Sequence, residues 1–255
     1  MQIEQKSEHA LQMMEFAKDE FEFDSINERS KPSTHVQNFY NSYIKLGEDQ
    51  RKTFDIVAAH ILGQQCVKTT ENPTGQLRMV VSGEGGSGKS HLIDCIVLYS
   101  IIHYGYDHTL HGPVLVVAPT GMAANNINGS TIDSACYTYK YNAENEDKPS
   151  FLKLLQDNLG LLNILIIDEA SMLGLDKLGK LDKIFRRAKC TYGQFLGGIH
   201  YIILGDFFQL PAVGAKPLYA DEEWYSEINA SGKEAYLACT CYKELLQNFR
   251  QEKLS

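Results

Sequence analysis

Residues 83–90 read Gly-Glu-Gly-Gly-Ser-Gly-Lys-Ser and follow a short apolar run, Leu77-Arg78-Met79-Val80-Val81. This is the pattern G-x-x-x-x-G-K-[ST], set between a candidate strand and a candidate helix. Gly83, Gly85, Gly86 and Gly88 let the backbone turn tightly, and with Ser87 they aim successive N–H groups at a phosphate chain. Lys89 brings a mobile positive charge to the β- and γ-phosphates, and Ser90 offers a hydroxyl to Mg²⁺. The helix that follows adds the positive end of its dipole. A glycine-rich turn with an incidental Lys-Ser would not need the flanking strand and helix. The pattern therefore predicts a nucleoside triphosphate site, with Mg²⁺ as the expected metal.

Further groups suited to the same chemistry lie downstream. Leu165-Ile166-Ile167-Asp168-Glu169 ends an apolar run with two adjacent acids. Asp168 suits Mg²⁺, directly or through water, and Glu169 suits orienting and deprotonating the attacking water. Two such acids mean little alone and gain weight from the phosphate loop upstream. Gln209, in Gly205-Asp206-Phe207-Phe208-Gln209-Leu210-Pro211, carries an amide that can bond the γ-phosphate or its water. Gln50, ahead of the first helix of the core, can read an adenine edge through its paired donor and acceptor; taken by itself it reads first as an ordinary polar residue. Arg250, in Asn248-Phe249-Arg250-Gln251, could stabilise transition-state charge as an arginine finger, although spacing alone does not bring it to the loop.

The elements that must position these groups are legible as four apolar runs: Leu77–Val81, Val114–Val117, Ile164–Ile167 and Tyr201–Leu204. Turn chemistry follows each, and helix-like segments lie between them. That alternation predicts an α/β fold, a parallel sheet with helices on both faces. Ligands of such sheets bind at the carboxyl ends of the strands. The phosphate loop, Pro119-Thr120-Gly121, Asp168-Glu169 and Asp206 to Gln209 all fall at those ends. Residues 1–45 read as an acidic leader and linker, with eight acids against three bases in the first thirty positions. A helix is expected over Gln50 to Leu62, and a polar surface insertion near 137–160.

Composition bounds the remainder. The chain has 255 residues, 44% of them hydrophobic, and a net charge of −8. That suits one sizeable domain with ample core and disfavours a tight nucleic-acid binder working by phosphate neutralisation alone. No apolar run reaches the roughly 20 residues a membrane span needs, so no membrane partner is expected. An intracellular location is read from the absence of a signal core, nuclear or mitochondrial if the source is eukaryotic. Six scattered cysteines, with no C-x-x-C pair, read as free thiols. Lys183, Arg186, Arg187 and Lys189 read as a solvated basic face, and Trp224 and Tyr242 as core residues.

These motifs in this order resemble the PIF family of 5′→3′ DNA helicases of superfamily 1, including the similar copies carried by Helitron-type transposons. The likeness runs over about residues 46–251. It is carried by Gly83–Ser90, by Ala118-Pro119-Thr120-Gly121-Met122-Ala123-Ala124 with Ile127-Asn128-Gly129-Ser130-Thr131-Ile132, and by Ile167 to Met172, Gly205 to Pro211 and Asn248 to Gln251. The resemblance implies a RecA-like P-loop NTPase fold, with the first RecA-like domain at 46–255 and a second RecA-like domain missing from this chain. It implies that Gln50 reads adenine and that Lys89, Ser90, Asp168 and Glu169 run Mg·ATP hydrolysis. Gln209 would couple ATP to DNA, and Arg250 would touch the γ-phosphate. Pro119, Thr120, Gly121, Ser130 and Thr131 would line single-stranded DNA. The chain departs from the family at Asp133, where histidine is usual, and at Ala212, where a second proline is common. The implied activity is DNA unwinding in replication, repair, recombination or transposition. Two other readings stand beside it: a truncated module that binds ATP without unwinding, and an unrelated P-loop ATPase.

Overall fold

The computed structural model describes residues 34–63, 75–104, 112–221 and 225–249. Arg250, Trp224, Cys66 and the leader up to residue 33 lie outside these. Six parallel strands form one sheet: β1 (Arg78–Gly83), β2 (Val114–Ala118), β3 (Ser130–Thr131), β4 (Ile164–Ile167), β5 (His200–Gly205) and β6 (Cys241–Leu245), in the order β3-β2-β4-β5-β1-β6. The helices are α1 (Thr34–Tyr43), α2 (Glu48–Ile61), α3 (Lys89–Tyr104), α4 (Gly121–Asn126), α5 (Ile132–Cys136), α6 (Pro149–Leu159), α7 (Leu175–Ala188) and α8 (Glu227–Leu237).

Strand pleating explains why the central strands read as unbroken apolar runs. Successive side chains point to opposite faces, and helices cover both. Ile164 and Ile166 of β4 join Met79, Val81, Ile202 and Leu204 under α1 to α4. Leu165 and Ile167 join Tyr201 and Ile203 under α5 to α8. All four expected strands are present. β3 and β6 were not anticipated: β3 has two residues, and β6 reads Cys-Tyr-Lys-Glu-Leu. As an edge strand β6 alternates between half-buried and exposed positions before Leu245, and charges are what exposed edges carry.

Several sequence readings change. The leader does not extend to residue 45: Val36, Phe39 and Tyr43 of α1 recur on one helical face and are buried. Phe39 sits 5.6 Å from Phe54 and 5.5 Å from Tyr99, ring centre to ring centre. Nor is 137–160 only a polar insertion. Residues 149–159 form α6, whose Phe151, Leu155 and Leu159 are buried beneath a polar outer face. Tyr242 lies on the open edge and is 61% exposed rather than in the core.

The basic cluster on α7 is spent internally rather than solvated. Arg186 pairs with Asp182 at 2.8 Å, Arg187 with Glu146 at 2.5 Å, and Lys183 with Glu227. Lys189 donates to Gly160 O at 2.7 Å. Helices α7 and α8 approach so closely at Gly179 and Gly232 that a Cβ on either would overlap a carbonyl of the other helix. Among the described residues no helix is long and apolar enough to cross a membrane.

Candidate nucleotide site and DNA-facing rim

Because all strands are parallel, their carboxyl ends share one rim. The phosphate loop leaves β1, the acids leave β4, and β5 lies between them. Two strand spacings place the loop and the acids about 10 Å apart, room for a phosphate group between them.

The loop is built from both conformation and close approach. Gly86 and Gly88 have φ of 94° and 79°, a region that costs other residues about 1–2 kcal/mol. A Cβ at Gly88 would overlap the Gln50 amide, and one at Gly83 would stand 2.5 Å from Ser87 Oγ; at Gly85 a Cβ would meet open space. Ser87 is buried, and its hydroxyl has no hydrogen-bond partner among the described residues. Lys89 bends back, donating to Gly83 O at 2.6 Å and Glu84 O at 3.1 Å. Ser90, in the first turn of α3, is exposed.

Asp168 is only 5% exposed, and its Oδ1 is buried without a partner. Burial raises its pKa above the usual carboxylate range, opposed by the Glu169 backbone N–H and by the charge of Lys89. An orphaned buried carboxylate oxygen facing a phosphate loop fits a hard divalent cation, and with the exposed Ser90 hydroxyl it forms the donor set that Mg²⁺ takes beside substrate phosphates. Among the described residues no cluster of three or more acidic, histidine or cysteine side chains could hold a metal by itself; a magnesium bound mainly through phosphates requires none. Glu169 is half-buried and sits in the left-handed region, φ 57°. Such a conformation in a residue other than glycine costs of order 1–3 kcal/mol and concentrates at functional sites.

Two glutamines of the site make contacts within the protein that their sequence neighbours do not announce. Gln209 donates to Asp206 Oδ2 at 3.3 Å and so faces its own turn. Gln50 is buried, with its amide fully engaged: Oε1 accepts from Gly47 N at 2.8 Å, and Nε2 reaches Ser87 O at 3.1 Å and Gly88 O at 3.0 Å. Sequence reasoning placed Gln50 near the nucleotide but missed these carbonyl partners. Nor does spacing announce the backbone contact made by the segment after β6. Phe249 N–H donates to Gly86 O at 3.1 Å, so the chain reaches the loop one residue before Arg250.

Pro119, Thr120, Gly121, Ser130 and Thr131 come together because β3 pairs with β2, Val117 opposite Ser130 and Ala118 opposite Thr131. Three to four strand spacings put them about 15–20 Å across the rim from the loop. Both threonine hydroxyls cap helices: Thr120 Oγ1 accepts from Ala123 N at 3.3 Å, and Thr131 Oγ1 from Ser134 N at 3.2 Å. A hydroxyl used as an acceptor keeps its own hydrogen to donate. Asp133, the departure from the family pattern, is turned away from this strip. It accepts from Lys177 at 2.8 Å and from Thr138. Burial opposes its charge, and the Lys177 and Thr138 bonds outweigh that, holding its carboxyl below the usual range.

Comparison with known proteins bears on the family and the fold. The family model for PIF1-like helicases matches residues 45–255. The chain is 35% identical over 139 residues to the ATP-dependent DNA helicase Pif1 of Psychrobacter sp., covering 53% of this chain and 20% of that protein. It is 32% identical over 186 residues to the ATP-dependent DNA helicase PIF1 of Emericella nidulans, covering 68% and 24%. The chain thus spans about a fifth to a quarter of the length of these curated relatives. Among solved structures, the Pif1 helicase of Candida albicans superposes with a TM-score of 0.57 at 24% identity, over 82% of this chain and 41% of that one. Bacteroides Pif1 bound to single-stranded DNA superposes at 0.50 with 23% identity, over 80% and 42%. The structural likenesses establish the shared α/β P-loop NTPase fold; the family-model match, extending over most of the chain and through every motif described above, makes this chain a member of the PIF1-like helicase family.

Proposed function

We propose that this chain is the first RecA-like motor domain of an ATP-dependent DNA helicase, working 5′→3′ in replication, repair or recombination. The observation that carries the reading is the placement of Lys89, Ser90, Asp168 and Glu169 on one rim, around a loop whose glycines have the shape a phosphate chain requires. Mg²⁺ held beside Ser90 and Asp168 would neutralise charge on the phosphates. Lys89 would leave the carbonyls of Gly83 and Glu84 for the phosphates. Glu169 would orient the attacking water and take its proton. Gln209 would turn from Asp206 toward the nucleotide, so that hydrolysis is felt by the loop that follows β5. Arg250, one residue past a backbone contact with the loop, would supply its guanidinium to the γ-phosphate.

Single-stranded DNA would run along Pro119, Thr120, Gly121, Ser130 and Thr131. The same rim carries Met122, Phe208, Leu210 and Val213, each more than four-fifths exposed. Phe208, at 94% exposure, is a platform on which a base can stack at about 1–3 kcal/mol. A second RecA-like unit closing over the rim would complete the motor.

Steady-state ATP hydrolysis by the 255-residue chain, with and without single-stranded DNA and beside Glu169→Gln, tests this. Turnover that rises with DNA and disappears in the variant is the expected result. Absent turnover with ATP binding retained would leave the chain a nucleotide-binding module that does not unwind by itself. Turnover unchanged in Lys89→Ala would refute the site.

A further inference from the structure

The strip at Ser130 and Thr131 rests on very little structure of its own. β3 has two residues, and α5 has five, little more than one turn. An isolated helix that short does not hold in water, so its shape is supplied from outside. Part of the supply is apolar: Ile132, Ala135 and Cys136 are buried in the core on the α5–α8 side of the sheet. The polar part converges on one carboxylate. Asp133, in the first turn of α5, accepts from the Thr138 hydroxyl through Oδ1 and from Lys177 Nζ at 2.8 Å through Oδ2. Thr138 is buried and lies just past Tyr137, where the chain leaves α5 with φ of 58°. The Asp133 side chain therefore ties the start of α5 to its exit, and both to α7.

Lys177 projects from a firm support. α7 begins at Leu175, after the short turn that follows Asp168-Glu169. Its Leu175, Leu178, Leu181, Ile184 and Phe185 are buried, and the close crossing with α8 at Gly179 fixes its first turns further. The pair joins residues 44 apart in sequence. Both side chains are partly exposed, and such a pair contributes little to the stability of a whole domain. Its effect is local: it fixes a short element that cannot fix itself, directly beneath the residues of the strip.

We propose that Asp133 and Lys177 form a positioning pair for single-stranded DNA, which sets the Ser130–Thr131 strip against α7 while neither side chain touches the strand. This rests on the reading of the strip as a DNA contact. Positioning and plain charge differ in sign. An acid near a phosphate backbone repels it, and a lysine attracts it. On charge alone, Asp133→Asn would tighten DNA binding, Lys177→Met would weaken it, and the double variant, its net charge unchanged, would bind as wild type. A positioning pair weakens binding in all three, with the double variant no weaker than Lys177→Met because both lose the same contact. Lys177→Arg, which keeps an ion pair with Asp133, stays close to wild type.

The test is fluorescence anisotropy of a labelled oligothymidylate, titrated at several salt concentrations with the wild-type chain and these four variants, beside thermal melting and titration with an ATP analogue. Asp133→Asn, Lys177→Met and the double variant should bind the oligonucleotide about twofold to fivefold more weakly, the range that a partly exposed ion pair can supply, with the ATP-analogue affinity unchanged. The slope of log K against log salt should stay the same in Lys177→Met; a lysine seated on a phosphate would make it shallower by about 0.7. That readout keeps the test available if Asp133→Asn does not fold. Tighter binding by Asp133→Asn, wild-type binding by the double variant, a shallower slope in Lys177→Met, or lowered melting temperatures with unchanged DNA affinity would each overturn the pair while leaving the strip standing. Wild-type chain that does not bind the oligonucleotide would overturn both.

Discussion

Two glycines of the same loop should respond oppositely to alanine. Gly88 has φ of 79°, and a Cβ there would overlap the Gln50 amide. An alanine would pay about 1–2 kcal/mol for the left-handed backbone. It would also displace Nε2 from Ser87 O and Gly88 O, two bonds worth about 1 kcal/mol each. The total, about 3–4 kcal/mol, falls on the loop and not on the core, so the loop abandons its shape while the domain stays folded. Taken wholly from binding, it lowers ATP affinity by about 10²–10³-fold. At Gly85 a Cβ meets nothing within 4 Å, so Gly85→Ala should bind ATP within about twofold of wild type, well inside the non-additive scatter of single contacts. Titration with a fluorescent ATP analogue, beside circular dichroism melting of both variants, reads the difference. Equal losses would refute the argument that the shape of the loop, and not its glycine content, sets affinity.

Other outcomes follow from the packing. Phe39→Ala should destabilise the domain by about 3–5 kcal/mol in urea unfolding, since its ring contacts Phe54 and Tyr99; an effect under about 1 kcal/mol would return α1 to the leader. Gly179→Ala should lower the melting temperature sharply while Gly193→Ala, which meets open space, should not. His200 accepts the Leu77 N–H at 2.9 Å, and burial, then the nearby His60, hold its imidazole down to about 4. The unfolded chain takes that proton near the ordinary 6.5. Stability from this group is therefore complete above about pH 6.5 and lost as pH falls toward 4, at most about 3 kcal/mol for a half-buried ring. Urea unfolding at about pH 7.5 and 5 should show the loss, and His200→Asn should flatten it.

What the sequence yields here depends on the range of the interaction. The phosphate loop, Asp168-Glu169 and the four central strands are local patterns, and a strand covered on both faces declares itself as an apolar run. β6 does not, because an edge strand carrying Lys243 and Glu244 resembles a loop until β1 is beside it. α1 was hidden by its surroundings: three buried residues in ten, next to an acidic stretch, look like linker without Phe54 and Tyr99 to receive them. Gln50 was placed near the nucleotide, but its carbonyl partners lie 37 and 38 residues away and nothing in its neighbours announces them. Asp133 looked unfavourable beside a DNA strand because Lys177, which takes up its charge, is 44 residues downstream.

The contact between Gly179 and Gly232 ties α7 and α8 at backbone distance, without side chains between them to slide or change rotamer. Mechanically the pair is one beam. One end is joined through a short turn to the Asp168-Glu169 pair. The other runs into β6 and on to Phe249 against the phosphate loop. With so little room between the helices, a shift at the acids would pass toward β6, so the proposed catalytic end and the back of the loop are joined by a stiff strut on one side of the sheet.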